Sequence, residues 1–196
     1  EGRPPPVYIG SHAPRMLGLT GRYGDGWLPG QPVDAEEYAR RLQVIHAAGH
    51  EVGRSMDNFV ATQTMLLVLG EDKDEVIGQA MKSLYVGYNT LGLAGSVWRK
   101  HGLDHPMGDD FAGQIELVPA ATPRELVETA MERITPELLL EQYYFGSPDQ
   151  IADAVAPLVD AGCRHFVLAN MGGNFTGRGA ADFASMAALT ARLKQM

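Results

Sequence analysis

The stretch from Pro4 to Gly30, PPPVYIGSHAPRMLGLTGRYGDGWLPG, constrains the fold most, because it reads without a break as strand, short loop, helix and second strand. Three prolines forbid a helix before Val7, and Val7, Tyr8 and Ile9 are β-formers, so a short buried strand is predicted over Val7–Gly10. Gly10, Ser11, His12 and Ala13 supply small or polar turn residues. Pro14 suits the first position of a helix, where its missing N–H would have had no partner. Met16, Leu17 and Leu19 share one helical stripe, and Gly21 to Gly24 is the stop, with Arg22 placed to favour the C-terminal end of the dipole. Asp25 to Leu28 is the next strand.

A strand that feeds directly into a helix leaves first-turn N–H groups pointing outward, which is a ready site for an anion. Gly10 and Ser11 let a phosphate come close. The same residues also suit an ordinary turn, since the segment is neither a GxGxxG fingerprint nor a Walker loop.

Beyond Gly30 the pattern keeps alternating. Asp34 caps a helix that buries Tyr38, Leu42, Val44 and Ile45 and ends at Gly49, and Phe59–Leu69 is the longest β-like run. Asp72 opens a helix that includes Val76, Ile77, Met81 and Leu84. The segment from Gly92 to Gly113 is rich in glycine and turns, with a helical piece near Ser96–Lys100. Thr122, Pro123 and Glu125 suggest a capping box, and Ile134–Gln142 a further helix. Ser147 and Pro148 start a helix over Asp149–Ala161, Cys163–Leu168 is the last strand, and Ala180–Lys194 the closing helix. This alternation is that of a parallel α/β protein.

With 196 residues, 45% hydrophobic and 20% charged, the chain can bury one sizeable core. A formal net charge of -8 argues against a nucleic-acid or anionic-membrane surface. The single Cys163 excludes an internal disulfide, and no apolar run is long enough to span a bilayer, so cytoplasmic placement is expected.

The segment PPVYIGSHAPRMLGLTGRYGDGWLP resembles the central signature of the luciferase-like monooxygenase superfamily, in its branch of flavin- and deazaflavin-dependent oxidoreductases. Phe145-Gly146-Ser147-Pro148-Asp149-Gln150 and the run Ile151–Leu168 resemble its closing segment. VWRKHGLDHPMG, Val97 to Gly108, is most similar to the branch of phthiodiolone-type ketoreductases and related F420-dependent enzymes.

The resemblance implies the C-terminal half of a (β/α)8 TIM barrel, strands five to eight, as a single domain over residues 1–196 with a helical insertion or lid over 85–145. A whole barrel of this kind needs about 250 residues. Four barrel strands can be placed, and Glu1 in the initiating position agrees with a C-terminal portion. It also implies an oxidoreductase that uses coenzyme F420, an 8-hydroxy-5-deazaflavin, to exchange hydride with a carbonyl, imine or activated alkene. An FMN-dependent monooxygenase is the alternative, and a non-catalytic half-barrel a further one. The half alone is expected to be inactive and to self-associate or to pair with the missing half.

The cofactor-binding candidates are Gly10, Ser11, His12 and Ala13, whose hydroxyl and N–H groups the resemblance sets on a phosphate, with Trp27 and Asn170. Trp27 either packs on a flavin-like ring or fills the barrel mouth, and His12 either contacts a ligand or is solvated. Asn170, Gly172 and Gly173 either contact the cofactor or turn the chain into the last helix. Catalytic residues cannot be assigned. His101, Asp104 and His105 have metal-like spacing, but Gly102 and Pro106 break the helix that such ligation needs, so no metal is expected. Asn174-Phe175-Thr176 is a glycosylation sequon without a secretory context.

Overall fold

The computed structural model describes residues 4–175 and 182–196. In chain order it contains β1 (Tyr8–Ile9), α1 (Pro14–Tyr23), β2 (Gly26–Trp27), α2 (Ala35–Glu51), β3 (Val60–Leu69), α3 (Lys73–Ala80), α4 (Leu84–Leu91) and α5 (Gly95–Lys100). A 3-10 turn (Pro119–Ala121) precedes α6 (Arg124–Met131), α7 (Pro136–Leu139), β4 (Tyr143–Gly146), α8 (Pro148–Asp160), β5 (His165–Asn170), α9 (Gly172–Phe175) and α10 (Asp182–Leu193). The chain forms two compact units. One takes the chain up to Leu66 with Asp149–Ala169 and Ala191–Met196; the other takes Leu67–Pro148 and Asn170–Thr190. The start expected for the last helix, Ala180, and Thr176 of the sequon lie outside the described residues.

In the first unit β1 pairs in parallel with β2, Tyr8 opposite Gly26 and Ile9 opposite Trp27, and β2 pairs in parallel with β3, Gly26 opposite Val60. β5 joins β3 there, where the Arg164 N–H donates to the Ala61 carbonyl at 2.9 Å. Gly26 lets the strands close, since a Cβ there would lie 2.7 Å from the Tyr8 ring and 2.8 Å from the Val60 oxygen. β1 is shorter and more open than predicted. Val7 and Tyr8 are exposed rather than buried, because β1 has a strand on one side only among the described residues.

The two helices that follow β1 and β2 pack against each other through glycine. A Cβ on Gly21 of α1 would lie 2.0 Å from the Ile45 carbonyl oxygen of α2. Asp34 caps α2 as expected, its Oδ1 accepting from the Glu37 N–H at 2.8 Å, but α2 continues past Gly49 to Glu51. Arg54 binds the carbonyl end of α1, donating from Nη1 to Gly21 at 2.6 Å and from Nη2 to Gly24 at 2.9 Å.

The second unit corrects three expectations. The helix expected from Asp72 to Leu84 is broken before Ser83 into α3 and α4. Thr122 caps nothing: α6 starts one residue later than a capping box needs, and the Thr122 hydroxyl donates back to the Val118 carbonyl at 2.9 Å. The helix expected over Ile134–Gln142 shrinks to α7, capped by Thr135, and the chain then extends into β4, whose Gly146 carbonyl accepts from Gly70 N–H beyond the end of β3.

Gly21→Ala is predicted to destabilise the protein by about 3 kcal/mol or more, because the new methyl meets rigid backbone. Gly18→Ala in the same helix has open space around its Cβ and is predicted to stabilise by up to about 1 kcal/mol. Urea denaturation of the two variants checks the pair; equal midpoints would contradict it.

Candidate anion-binding site

The site is built outward from Trp27. Its ring is fully buried and lies against Tyr38 of α2 at a centroid distance of 4.8 Å. The Trp27 Nε1–H donates to the Ser11 carbonyl at 2.9 Å, and the Trp27 carbonyl accepts from the Thr62 hydroxyl at 2.7 Å. The Tyr38 hydroxyl donates to the Thr62 carbonyl at 2.9 Å. Burial, followed by the neighbouring Cys163, pushes the Tyr38 pKa far up, so it stays a neutral donor. Of the two roles open to Trp27, the structure gives it the core one: no face of its ring is open to a ligand.

That indole bond sets the direction of the next peptide. No peptide in the described chain is cis, and in a trans peptide the carbonyl and the following N–H point opposite ways. With the Ser11 carbonyl turned inward to Trp27, the His12 N–H is turned outward. The adjoining end of α1 is open in the same sense. Its N-cap, Ala13, offers no side-chain hydrogen bond, Pro14 takes the first helical position, and no acidic residue occupies the first turn. The N–H groups of Arg15 and Met16 belong to the helix's unpaired first turn, so a run of donors and the positive end of a helix dipole meet at one loop.

Ser11 has a different place from the one expected of its hydroxyl. The residue is buried, and its Oγ lies 2.9 Å from Thr20 Oγ1. Thr20 spends its one hydroxyl hydrogen on the Met16 carbonyl at 2.8 Å, so Ser11 is the donor to Thr20 and has no hydrogen left for an anion. Its backbone, not its side chain, is the part that shapes the loop. Gly10 is less constrained, since a Cβ there would lie 3.4 Å from the Leu28 oxygen.

His12 is exposed, and its Nδ1 lies 2.8 Å from Arg41 Nη1. Arg41 comes from the second turn of α2 and also donates from Nε to Glu37 Oε1 at 2.7 Å. The hydrogen bonds from Arg40 and Arg41 hold the Glu37 pKa at about 2. Desolvation of the ring and, second, the Arg41 charge hold His12 below the ordinary histidine value. Nothing in the sequence distinguishes Arg41 from Arg40, its neighbour in α2.

Asn170 belongs to the other compact unit. It ends β5, and its Oδ1 accepts from the Gly172 N–H at 2.9 Å at the start of α9, so Gly172 and Gly173 open a short helix rather than a free loop. The two histidines with metal-like spacing serve separate ends in that unit. His101 Nε2 lies 2.7 Å from Glu141, whereas His105 is buried beside Phe111, with Nδ1 accepting from the Met107 N–H and Nε2 on the Leu91 carbonyl. Cys163 is buried, and burial pushes its thiol pKa up, as suits a core residue.

Trp27→Phe keeps a ring and removes the indole donor, leaving the Ser11 carbonyl without that partner. It is predicted to cost about 1–3 kcal/mol and to speed amide exchange at Ser11, His12 and Ala13. Ser11→Ala removes one hydroxyl bond and is predicted to cost about 1 kcal/mol. Unchanged melting and unchanged loop exchange in Trp27→Phe would contradict the role given to the indole.

Comparison with known proteins fits this architecture. The luciferase-like monooxygenase family matches residues 1–165. The phthiodiolone/phenolphthiodiolone dimycocerosates ketoreductase of Mycobacterium bovis is 33% identical over 170 residues, which are 87% of this chain and 44% of that protein. Thus the chain spans less than half the length of this relative. The coenzyme F420 dependent tetrahydromethanopterin reductase from Methanopyrus kandleri superposes with a TM-score of 0.61 at 22% identity, over 84% of this chain and 44% of that one. The oxygenating constituent of 3,6-diketocamphane monooxygenase from Pseudomonas putida, in complex with FMN, superposes with a TM-score of 0.56 at 17% identity, over 96% of this chain and 48% of that one. The chain belongs to the luciferase-like monooxygenase family and has the α/β architecture of half of that family's barrel.

Proposed function

We propose that the complete protein is an oxidoreductase that exchanges hydride between coenzyme F420 and an organic carbonyl, imine or activated alkene, with the loop Gly10–Ala13 and the start of α1 holding the cofactor phosphate. The observation that carries this reading is the outward-turned His12 peptide beside an uncapped, acid-free helix start. The ketoreductase and the F420 dependent reductase among the relatives support it. When bound, the deazaflavin supplies a ring carbon that gives or takes the hydride.

The residues of this chain bind and orient. The N–H groups of His12, Arg15 and Met16 face the phosphate, and Ser11 and Trp27 hold the loop that presents them. Residues 85–113 wall the substrate pocket, a reading supported by their position in the long excursion that follows β3, since such excursions rise from the catalytic face of barrels. A small-molecule substrate, a cytoplasmic setting and either a homo-oligomer or pairing with the rest of the barrel complete the reading. The open edge of β1 supports a further strand there, and without it the chain is inactive. No helix among the described residues is long and apolar enough to cross a membrane.

FMN-dependent monooxygenation is the second reading, favoured by the FMN-bound relative; the loop suits the phosphate of either cofactor. Titrating the full-length protein with each cofactor, followed by turnover with the reduced one, separates them. The expected result is that F420 binds at least tenfold more tightly than FMN, a margin of about 1.4 kcal/mol, and that the reduced deazaflavin is oxidised by a ketone. Tight FMN binding with oxygen consumption would overturn the F420 reading, and binding of neither would overturn both.

A further inference from the structure

We propose that Arg41 is a positioning residue that fixes His12 as the neutral tautomer with its proton on Nε2, so that the anion loop carries an imidazole N–H donor in addition to its backbone donors. This rests on the reading of the loop as the anion site.

A guanidinium offers donors only. With Arg41 Nη1 2.8 Å from His12 Nδ1, Nδ1 must accept, and the single proton of the neutral ring sits on Nε2. Arg41 is itself well placed to impose this. Its side chain is mostly buried, and it is held from behind by Glu37, with Nε on Oε1 at 2.7 Å. Arg40 grips the same carboxylate at 2.6 Å, so Glu37 is anchored from two sides. The relay therefore runs from the first turn of α2, through Glu37 and Arg41, to the ring next to the outward-turned His12 N–H. The charged group whose field acts on the ring is Arg41, with Glu37 and Arg40 behind it. A ring held this way does not gain positive charge as readily as a free histidine, and it presents one N–H to an oxyanion through ordinary cellular pH. The chemical class it suits is a phosphate or sulfate oxygen.

The test uses the full-length protein uniformly labelled with nitrogen-15 and sulfate as the probe, because the charge of sulfate is constant near neutral pH. In the free protein the ring nitrogens should report a proton on Nε2 and none on Nδ1; a proton on Nδ1, or fast exchange between the two forms, would overturn the proposal. Adding sulfate should shift the amides of His12, Arg15 and Met16 and the Nε2–H together. Shifts at the amides with none at Nε2 would overturn this proposal and leave the anion site standing, whereas no shift in the loop would overturn both.

Arg41→Met should release the tautomer and weaken sulfate binding about three- to tenfold at about pH 8, the size of one hydrogen bond. It should also restore binding as the pH falls to about 6, where a freed His12 becomes charged. Equal loss at both pH values would mark Arg41 as merely structural and overturn the proposal.

Discussion

The hydrogen bond from the Trp27 indole to the Ser11 carbonyl ties together nearly everything that shapes the loop. Trp27 sits in β2 opposite Ile9 of β1 and Ala61 of β3, rests on Tyr38 of α2, and takes the Thr62 hydroxyl on its own carbonyl. These bonds are buried, so each polar group depends on its partner being in place, and the set strengthens as a unit. The same indole closes the core and turns the Ser11–His12 peptide. Loop orientation is thereby a consequence of core packing rather than a separate feature.

Glycine makes that packing possible at two levels. Gly26 lets β1 and β3 close on β2, and Gly21 lets α1 lie against the backbone of α2. Because α1 and α2 cross so closely, Arg41 of α2 reaches His12 just ahead of α1. The charges around the loop follow from this crossing: Glu37 neutralises part of the local positive charge, Arg41 holds the ring, and the helix start remains free of acids.

The strand, loop, helix and strand of residues 4–30 were legible because each boundary has a local cause, such as Pro14 at the helix start, and the start of α2 was legible in the same way from its Asp34 cap. The family was legible from the same stretch, and the position of the candidate loop with it. What the sequence concealed depends on contacts distant in the chain. The resemblance sets the Ser11 hydroxyl on a phosphate and leaves Trp27 between a ring contact and the core, but Thr20 takes the hydroxyl and Tyr38 lies against the indole. Arg41 is one arginine of an adjacent pair, distinguished only by its rotation about α2. β4 was hidden because Tyr143–Gly146 is short and follows a helix-like leucine run, and the expected Thr122 cap failed by a single residue of register.

The most direct measurement is a crystal structure of the full-length protein with F420 bound. The account predicts that the cofactor phosphate lies within hydrogen-bonding distance, about 3 Å, of the backbone nitrogens of His12, Arg15 and Met16, with Trp27 still donating to the Ser11 carbonyl and its ring away from the deazaflavin. A phosphate bound elsewhere, or the Trp27 ring swung out to stack on the cofactor, would contradict it.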